Sequence, residues 1–572
     1  MNKVLLCIPP DYGHNFPPLA TPALCAFLKH NGIQTSQIDL NLKYRDFLSS
    51  KIGSPGLSAV EKRFLVEPIL KVFFLRCLTD RYYSSYLPRL DDRASLELPY
   101  DNNSNSSFYF TERLLSSQYL FRYLEDPAEN TFYQFYRECG VLREMEKNDV
   151  KVLGISIISP SQAIASLTLG LLVKRGLPGV HVTIGGQWPT LYRGQIRQRK
   201  DLFACFDSVV LFEGETPLLR LVRSLSRRKT FSIPNVMTAD RMAAVECNRH
   251  EEVMDKIPCP DFSGLSLGSY NGSKKNFINL TYETTRGCYW SKCAYCVDLP
   301  LPKPTYRAKD PGLVLKDIRE LQAKFNAANL MLGDPGLSPR QMLQVSKRIN
   351  AAGLKISWWT MARLDPGFTY KIFSTARKAG LKKINFGFES ACDRVCAMVD
   401  KGNTQKRSER IIRDCHKAGI IVDLQTMLGL PGEKLQDGLE TVDFLIKNFR
   451  YIDDVSFNAF YLTPGNRVYQ NPRKYGIEYD RKTRLPFRFF LPFKNVKGMN
   501  NQQIQSLINT YYALRGRNGK ANPARQAGKP ENRKEHVSAK DTGWLIFTLN
   551  GESIKLGYIR NTKTHEIVIE AI

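Results

Sequence analysis

Short apolar, β-branched runs alternate with helix-like segments along the second half of the chain, and this alternation constrains the fold more than any other feature. Six such runs are separated by helix-like segments: INLTYETT, NLMLGD, ISWWTMARLD, INFGFES, IVDLQTMLGLPG and DVSFNAFYLTPG. Strands that alternate with helices build parallel sheets, because each crossover helix returns the chain to the same end of the sheet. Residues 277–500 are therefore predicted to form a partial barrel of six β/α units.

The first 255 residues show the same alternation with one interruption. The runs KVLLCIPP, QTSQIDLN, VKVLGISII, HVTIGG and DSVVLF predict the strands of a doubly wound, Rossmann-like α/β domain. Residues 45–148 break this pattern and are rich in Leu, Phe, Tyr and Arg at helical spacing, which predicts a mostly helical insertion. Proline, glycine and serine between residues 256 and 276 indicate a linker to the barrel.

Beyond residue 500 the alternation stops. Basic residues between Arg515 and Lys534 lie in a stretch rich in Gly, Pro and Asn without apolar periodicity, which predicts a loop. The last thirty or so residues alternate apolar and polar side chains around Asn550-Gly551, a strong hairpin signal. Residues 501–572 are therefore predicted to form a basic loop and a small C-terminal β unit, an α+β tail on an α/β protein.

Composition narrows the class of protein. The chain has 572 residues and a net charge of +27, from 82 Lys and Arg against 55 Asp and Glu. No run reaches the ~18 uncharged apolar residues that a membrane span needs, and Pro9-Pro10 arrive too early for a signal peptide, so we expect a cytoplasmic protein. The basic residues are dispersed, and the one dense run has no interleaved aromatic side chains for base stacking, which argues against nucleic-acid binding.

Three of the 13 cysteines lie within nine residues of one another. Cys288, Cys293 and Cys296 follow a C-x4-C-x2-C spacing in TTRGCYWSKCAYC. Thiolates at such spacing ligate zinc or an iron–sulfur cluster, and the spacing alone does not choose between them. Structural zinc normally has a fourth Cys or His ligand, which no nearby histidine supplies. The motif also follows the first predicted barrel strand, where barrel active sites form, so we favour a catalytic cluster.

The segment RGCYWSKCAYC, placed after a barrel strand, resembles the radical S-adenosylmethionine (SAM) superfamily in its C-x4-C-x2-C variant. The downstream segments LGDPGLSP, WWTMARLDPGFT, INFGFES, MVDKGNT, MLGLPGE and YLTPGNRVYQNPRKYGI are similar, in order, to the strand ends of that family's barrel. The upstream segments IGGQWPTL, FEGET and IPCPDFSGLSL resemble elements of the subgroup that carries an N-terminal cobalamin-binding-type domain. The resemblance covers about residues 1–480.

This resemblance implies a 4Fe-4S cluster on Cys288, Cys293 and Cys296, whose fourth iron binds SAM and whose electron cleaves it to a 5′-deoxyadenosyl radical. The SAM-binding residues that it implies are Tyr295, Gly333, Asp334, Arg363 and Glu389. Structural roles stay open for three of them. Tyr295 could simply pack, Asp334 could cap the following helix, and Arg363 could form an ion pair with Asp365.

The subgroup also implies cobalamin as a second cofactor. The chain lacks the Asp-x-His-x-x-Gly motif with which mutases ligate cobalt, but the subgroup commonly lacks that histidine. The expected contacts lie at strand ends, where a doubly wound sheet binds its ligand: Ser156, Ser159, Gly185, Gly186, Glu213 and Gly214. The alternative is a domain that has kept the fold and lost the cofactor.

The leading function is therefore cobalamin-dependent methyl transfer to an unactivated carbon or phosphorus of a small molecule or peptide. Two alternatives remain open: a peptide-maturing or ring-forming radical SAM enzyme without cobalamin, and a nucleic-acid-modifying enzyme similar to tRNA methylthiotransferases. The resemblance implies a reductase, ferredoxin or flavodoxin as electron donor. The positive charge would suit an anionic small molecule or an acidic peptide.

Overall fold

A computed structural model of the chain describes most of its residues. The described residues are 3–10, 12–13, 15–52, 117–127, 130–227, 232–242, 251–270, 277–296, 305–479, 491, 493–517, 540–549, 552–561 and 567–571. Two six-stranded sheets organise them, one in each half of the chain.

The N-terminal sheet has the strand order β2-β1-β3-β4-β5-β6. Its strands are β1 (Lys3–Ile8), β2 (Thr35–Asp39), β3 (Val150–Ser156), β4 (His181–Gly185), β5 (Ser208–Val210) and β6 (Val236–Thr238). The first five strands are parallel, and β6 is an antiparallel edge strand that was not predicted. The chain leaves β1 to opposite sides to form β2 and β3, so the topological switch point lies between β1 and β3.

Helices cover both faces of this sheet, as a doubly wound fold requires. They are α1 (Ala20–His30), α2 (Leu40–Ile52), α3 (Ser117–Glu125), α4 (Thr131–Glu138), α5 (Val141–Lys147), α6 (Ala163–Gly176), α7 (Gln187–Leu191), α8 (Arg193–Arg197) and α9 (Glu215–Ser226). One apolar core joins α1 and α9 to the sheet, and a second joins α3 to α8 to its other face. The predicted α/β fold is confirmed. Residues 53–116 of the predicted insertion lie outside the described residues, and its described end is helical.

The second sheet is a half-barrel of parallel strands in the order β14-β13-β12-β11-β10-β7. The strands of this half, with a short ribbon of β8 and β9, are β7 (Ile278–Tyr282), β8 (Thr285–Arg286), β9 (Arg307–Ala308), β10 (Ala327–Leu332), β11 (Ser357–Arg363), β12 (Leu381–Glu389), β13 (Ile421–Leu428) and β14 (Asp454–Ala459). All six predicted barrel strands are present, and their order along the sheet follows the sequence.

Helices pack on the outer face of the half-barrel, against alternate apolar residues of its strands. They are α10 (Pro311–Phe325), α11 (Pro339–Ala351), α12 (Tyr370–Lys378), α14 (Gln405–Lys417) and α15 (Leu435–Lys447), whereas α13 (Asp393–Met398) packs in a separate cluster that includes Ala294 of the cysteine loop. Their starts follow from the sequence: Asp310 and Ser338 cap α10 and α11, and a proline follows each cap. Gly380, between α12 and β12, has φ +93, and a Cβ there would lie 1.8 Å from the carbonyl oxygen of Ile356. Only glycine fits that turn.

The C-terminal part contains α16 (Arg467–Gln470), β15 (Ile477–Glu478), β16 (Lys494–Asn495), α17 (Asn501–Arg517), β17 (Lys540–Leu549), β18 (Glu552–Asn561) and β19 (Ile567–Ala571). The hairpin prediction is confirmed, because β17 and β18 pair in antiparallel register around residues 550–551. The prediction of a loop from residue 501 was wrong at its start, where α17 packs against α15. The rest of the predicted basic loop, 518–539, lies outside the described residues. Within the described chain, no helix is long and apolar enough to cross a membrane.

Candidate functional site

The three clustered cysteines lie on one loop that follows β8 at the carboxyl end of the half-barrel. Cys293 is buried, whereas Cys288 and Cys296 are partly exposed. One backbone and one side-chain hydrogen bond hold the loop in place. Ala294 N donates to the carbonyl of Val399 (2.9 Å), and Trp290 Nε1 donates to the carbonyl of Asp400 (2.7 Å). These contacts place the thiols beside the segment that follows α13.

Arg363, at the end of β11, lies directly beside this loop. Its Nη1 is 3.5 Å from Cys293 Sγ, its Nη2 donates to the carbonyl of Lys401, and its guanidinium lies over the ring of Trp290 at 4.6 Å. The guanidinium therefore places a positive charge beside one of the three thiols. The alternative Arg363–Asp365 pair is not formed among the described ion pairs, since Asp365 Oδ1 instead accepts from Gly367 N (2.8 Å).

Glu389 and Lys401 form a buried ion pair next to the same loop. Lys401 Nζ lies 2.9 Å from Glu389 Oε1 and 5.9 Å from the centre of the Tyr295 ring. Burial opposes the charge of Lys401, but the carboxylate of Glu389 outweighs it and the pKa of Lys401 is raised. Burial and the charge of Glu389 raise the pKa of Tyr295, so its hydroxyl stays protonated. Glu389 also has φ +66, at a register shift between β12 and β13.

Gly333 and Asp334 follow β10, as predicted, but the hydrogen-bond partners of Asp334 lie on the segment that leads into the cysteine loop. Its Oδ1 accepts from Thr284 N (2.7 Å) and Thr285 Oγ1 (2.9 Å), in the turn just before the cysteine loop. Burial raises the pKa of Asp334 to about 7. The helix-cap alternative was wrong, because Ser338 caps α11. Contact of Gly333, Asp334 or the other three residues with SAM stays a prediction.

The residues around the three thiols fit an iron–sulfur cluster. A Cβ on Gly336 would lie 3.4 Å from Cys288 Sγ and 3.6 Å from the ring of Tyr289, so the glycine keeps space free beside that thiol. Arg363 supplies positive charge on the side of Cys293. In the described part of the chain, no three Cys, His, Asp or Glu side chains converge on a single-ion position. A 4Fe-4S cluster takes one thiolate per iron and does not need such convergence.

A cavity of about 330 Å³ lies at the carboxyl ends of β3, β4 and β5, beside the switch point. Five of the six residues predicted to contact cobalamin line it: Ser156, Gly185, Gly186, Glu213 and Gly214. Ser159 does not. Its hydroxyl instead accepts from Ser161 N (3.4 Å) and caps the 3₁₀ turn Pro160–Gln162. Apolar side chains of β1, α1, β3, β4, β5 and α9 also line it.

The half-barrel also contributes to this cavity, through Glu283 and Arg286. Arg286 donates to carboxylates of both halves of the chain: Glu213 (3.0 Å), Glu215 (2.6 Å) and Glu283 (2.7 Å). Arg307, its neighbour on β9, binds the same Glu213 (2.5 Å). Burial raises the pKa of Glu213, but the two arginines outweigh it and hold that pKa below its ordinary value. Glu213 therefore lines the cavity with its carboxylate already engaged.

Sequence reasoning missed Arg286, Arg307 and Lys401 as site residues. Arg286 stands two positions before Cys288, and Lys401 lies in the MVDKGNT segment that carries part of the family resemblance. Their position in those segments was the available signal. Their partners were not readable, because Glu213 and Arg286 are 73 residues apart in the chain.

Comparison with known proteins agrees with the two-sheet architecture. Residues 282–445 match the model of the radical SAM superfamily. An uncharacterized methyltransferase of Pyrococcus horikoshii is 23% identical over 380 residues, 65% of this chain and 80% of that protein. An anaerobic magnesium-protoporphyrin IX monomethyl ester cyclase of Rubrivivax gelatinosus is 24% identical over 300 residues, 51% of this chain and 53%, or about half, of that protein.

Two solved structures share the fold of nearly the whole chain. The cobalamin-dependent S-adenosylmethionine radical enzyme OxsB, with aqua-cobalamin and S-adenosylmethionine bound, has a TM-score of 0.59 at 15% identity, covering 91% of this chain and 69% of that one. The radical S-adenosylmethionine methyltransferase TsrM of Kitasatospora setae, with cobalamin and a [4Fe-4S] cluster bound, has a TM-score of 0.57 at 14% identity, covering 92% of both chains. At this identity the likeness establishes the fold.

Proposed function

We propose that the chain is a radical SAM enzyme, and specifically a cobalamin-dependent methyltransferase that acts on an unactivated carbon or phosphorus of a small molecule or peptide. The observation that carries the proposal is the position of Arg286. This residue lines the cavity of the N-terminal sheet and stands two residues before Cys288. One short segment thus joins the ligand cavity expected of a doubly wound sheet to the loop of three cysteines.

In this proposal one group of residues holds the cluster and a second group binds SAM, and Arg363 serves both. Cys288, Cys293 and Cys296 hold the 4Fe-4S cluster, and Arg363 places its positive charge 3.5 Å from Cys293 Sγ. Tyr295, Gly333, Asp334, Arg363 and Glu389 surround the place of SAM. When bound, the cluster and SAM supply the radical, and cobalamin supplies the methyl carrier.

The cavity suits part of cobalamin rather than all of it. Its volume of about 330 Å³ is near the lower end of small-molecule pockets, which begin at about 300 Å³. Its wall combines apolar side chains with glycines at strand ends, which let a ligand approach the backbone. We propose that Ser156, Gly185, Gly186 and Gly214 would hold the part of cobalamin that enters this cavity. A one-electron donor such as a reductase, ferredoxin or flavodoxin completes the proposed system, and an anionic substrate would suit the charge of +27.

The first test is anaerobic reconstitution with iron and sulfide, followed by an assay for 5′-deoxyadenosine from SAM. Replacement of Cys288, Cys293 or Cys296 by alanine should remove the cluster absorption and the 5′-deoxyadenosine. Cys396→Ala is the matched control, because Cys396 is buried and lies outside the cysteine loop. Its thiol donates to the carbonyl of Ser390 (3.3 Å). Cluster and product that survive all three loop variants would sink the proposal.

The second test concerns the methyl carrier. Hydroxocobalamin should remain bound to the wild type through gel filtration, as measured by its absorption. Ala20→Phe, which fills the cavity from α1, should release it, whereas Ala20→Ser keeps the space and should retain it. A wild-type chain that forms the cluster but binds no corrin would point instead to the peptide-maturing or ring-forming alternative.

A further inference from the structure

Glu213 connects the two halves of the chain through two arginines of the β8–β9 ribbon. Its Oε2 lies 3.0 Å from Arg286 Nη1, and its Oε1 lies 2.5 Å from Arg307 Nη2. The Glu252 backbone also donates to Oε2 (3.0 Å). The side chains of all three charged residues are at most 17% exposed. Charge-assisted hydrogen bonds with so little solvent around them are among the strong ones in proteins.

The ribbon that Glu213 holds is the base of the cysteine loop. Arg286 pairs with Arg307 across β8 and β9, and Gly287 and Cys288 follow Arg286 directly. Gly287 has φ +78, so the chain turns sharply at this point. The same turn is fastened from the barrel side, where Asp334 accepts from Thr284 N and Thr285 Oγ1. The direction in which the cysteine loop leaves the ribbon is therefore set from both halves of the molecule.

Glu213 also forms part of the cavity wall, together with Glu215, Glu283 and Arg286. A ligand in the cavity would touch the residue that holds the ribbon. Displacing Glu213 would leave Arg286 and Arg307 without a shared partner and would loosen the base of the cysteine loop, although Glu215 and Glu283 would still hold Arg286. Restraining Glu213 would have the opposite effect, because an interaction that orders one site lowers the cost of ordering the other.

We propose that Glu213 is a positioning residue that couples the cavity to the three cysteines, so that cavity ligand and cluster stabilise each other's sites. Glu213 would then do more than contact the ligand of the cavity, because it would also transmit between the two sites. The part that concerns the corrin rests on the proposed function. The hold of Glu213 on the β8–β9 ribbon, called the tether below, rests only on the contacts of Glu213, Arg286 and Arg307. Coupling of this kind is reciprocal, so each ligand should tighten the binding of the other by the same factor.

The tether is tested on the apo-protein, without any assay of activity. Alkylation of Cys288 and Cys296 by a maleimide is followed by mass spectrometry, with the partly buried Cys139 as internal reference. Glu213→Gln should speed alkylation of the two loop thiols about ten-fold relative to Cys139, the change expected when one charge-assisted hydrogen bond is lost. Arg307→Gln should also speed it, and the double variant should add little to Glu213→Gln, because the Arg307–Glu213 pair is already broken by that substitution.

Asp207→Asn is the matched control. Asp207 pairs with Lys174 at 2.5 Å within the N-terminal half, with side-chain exposures of 26% and 27%, so its loss removes an ion pair that does not reach the ribbon. In the Asp207→Asn variant, Cys288 and Cys296 should react at the wild-type rate. Circular dichroism confirms that each variant is folded. If Glu213→Gln misfolds, the Arg307→Gln variant decides the question alone. Unchanged alkylation in a folded Arg307→Gln variant would overturn the tether.

The coupling is tested separately, by titrating hydroxocobalamin into wild-type protein with and without the reconstituted cluster. We expect tighter corrin binding in the presence of the cluster, and no such difference in Glu213→Gln. Equal affinity in both wild-type forms would overturn the coupling. A wild-type chain that binds no corrin at all would overturn both the coupling and the proposed cobalamin function. The alkylation result would still decide the tether, so the failures are distinguishable.

Discussion

Two buried carboxyl groups hold the loops that frame the site, and both titrate far from their ordinary range. Glu433 Oε2 accepts from Gly429 N (2.6 Å) and Leu430 N (3.1 Å), at the end of β13. Burial raises the pKa of Glu433 to about 8. Burial likewise raises the pKa of Asp334 to about 7, at the turn before the cysteine loop. Both loops therefore depend on groups that gain or lose a proton near neutral pH.

Glu433→Gln should flatten part of the pH dependence of stability. The folded pKa lies above the unfolded one, so the stability that this group contributes is full below about pH 4.5 and is lost as pH rises towards about pH 8. Glutamine keeps an oxygen for the two backbone amides, and its amide N–H can donate to Ser390 Oγ, which in the wild type donates to Glu433 Oε1 (3.4 Å). The melting temperature of the wild type should therefore fall more steeply between about pH 5 and about pH 8 than that of the variant.

The control for this experiment is Glu478→Gln, on an exposed position of β15. It removes a carboxyl group without touching a buried hydrogen bond, so its melting temperature should follow the wild type across the same pH range. A Glu433→Gln variant that also follows the wild type would show that Glu433 is ionised throughout.

At the scale of single residues, the sequence predicted which residue types stand near the cysteines but not what they touch. Arg363 was placed correctly at a strand end, because strand ends follow from periodicity. Its contacts with Cys293 and the Lys401 carbonyl come from residues 70 and 38 positions away. Such contacts depend on how helices pack outside the barrel, which no local pattern encodes. The engaged carboxylate of Glu213 escaped prediction for the same reason.

At the scale of elements, periodicity predicted the long strands and failed at short or polar ones. β6, β8 and β9 have only two or three residues, too few for a pattern. The missed helix α17 does carry a helical signal, since Ile504, Leu507, Ile508, Tyr511 and Leu514 are all buried at helical spacing. Its polar neighbours and the adjacent basic run obscured that signal. The basic run thus drew attention away from an amphipathic helix.

Lys309 fastens three elements together, and its loss should destabilise the half-barrel. Its Nζ lies 2.5 Å from Asp317 Oδ2 on α10 and 2.8 Å from the carbonyl of Ile257, and Tyr282 of β7 donates to the same carboxylate (2.8 Å). Lys309 is 4% exposed. Lys309→Met leaves Asp317 buried without its cation, which costs about 3–5 kcal/mol in the free energy of unfolding. Urea unfolding measures this loss.

The matched comparison lies on the same helix. Lys324 pairs with Glu320 at 2.6 Å, but its side chain is 61% exposed. Lys324→Met should therefore cost less than about 1 kcal/mol, as exposed pairs do. Equal losses in the two variants would mean that burial of the Lys309–Asp317 pair contributes nothing.

At the scale of the whole molecule, the described part of the predicted linker, residues 256–270, is a packed strap rather than a free connection. Gln37 Nε2 on β2 donates to the carbonyls of Asp261 (2.7 Å) and Ser263 (2.9 Å). Further along, Tyr270 donates to Asp39, a buried carboxylate at the end of the same strand. Lys29 of α1 forms an ion pair with Asp261 (2.7 Å). The strap therefore follows the β2 edge of the N-terminal sheet before it enters the half-barrel.

Besides the apolar packing of Phe262 and Leu265, the relative position of the two sheets depends on these polar contacts, among them those of Gln37, which is 6% exposed. Gln37→Leu keeps the bulk of the side chain but leaves two carbonyls without a donor, each at a cost of about 1–3 kcal/mol. Residues 261–270 should then exchange their amide hydrogens faster, as measured by mass spectrometry, while the half-barrel helices keep their protection. Gln322→Leu removes a similar bond to the carbonyl of Lys355 (2.8 Å), on the exposed side of α10, and should leave residues 261–270 unchanged. Because the strap leads into β7 and so to the cysteine loop, faster exchange confined to 261–270 would locate the joint between the two halves. Unchanged exchange there would assign their mutual position to the Glu213 contacts instead.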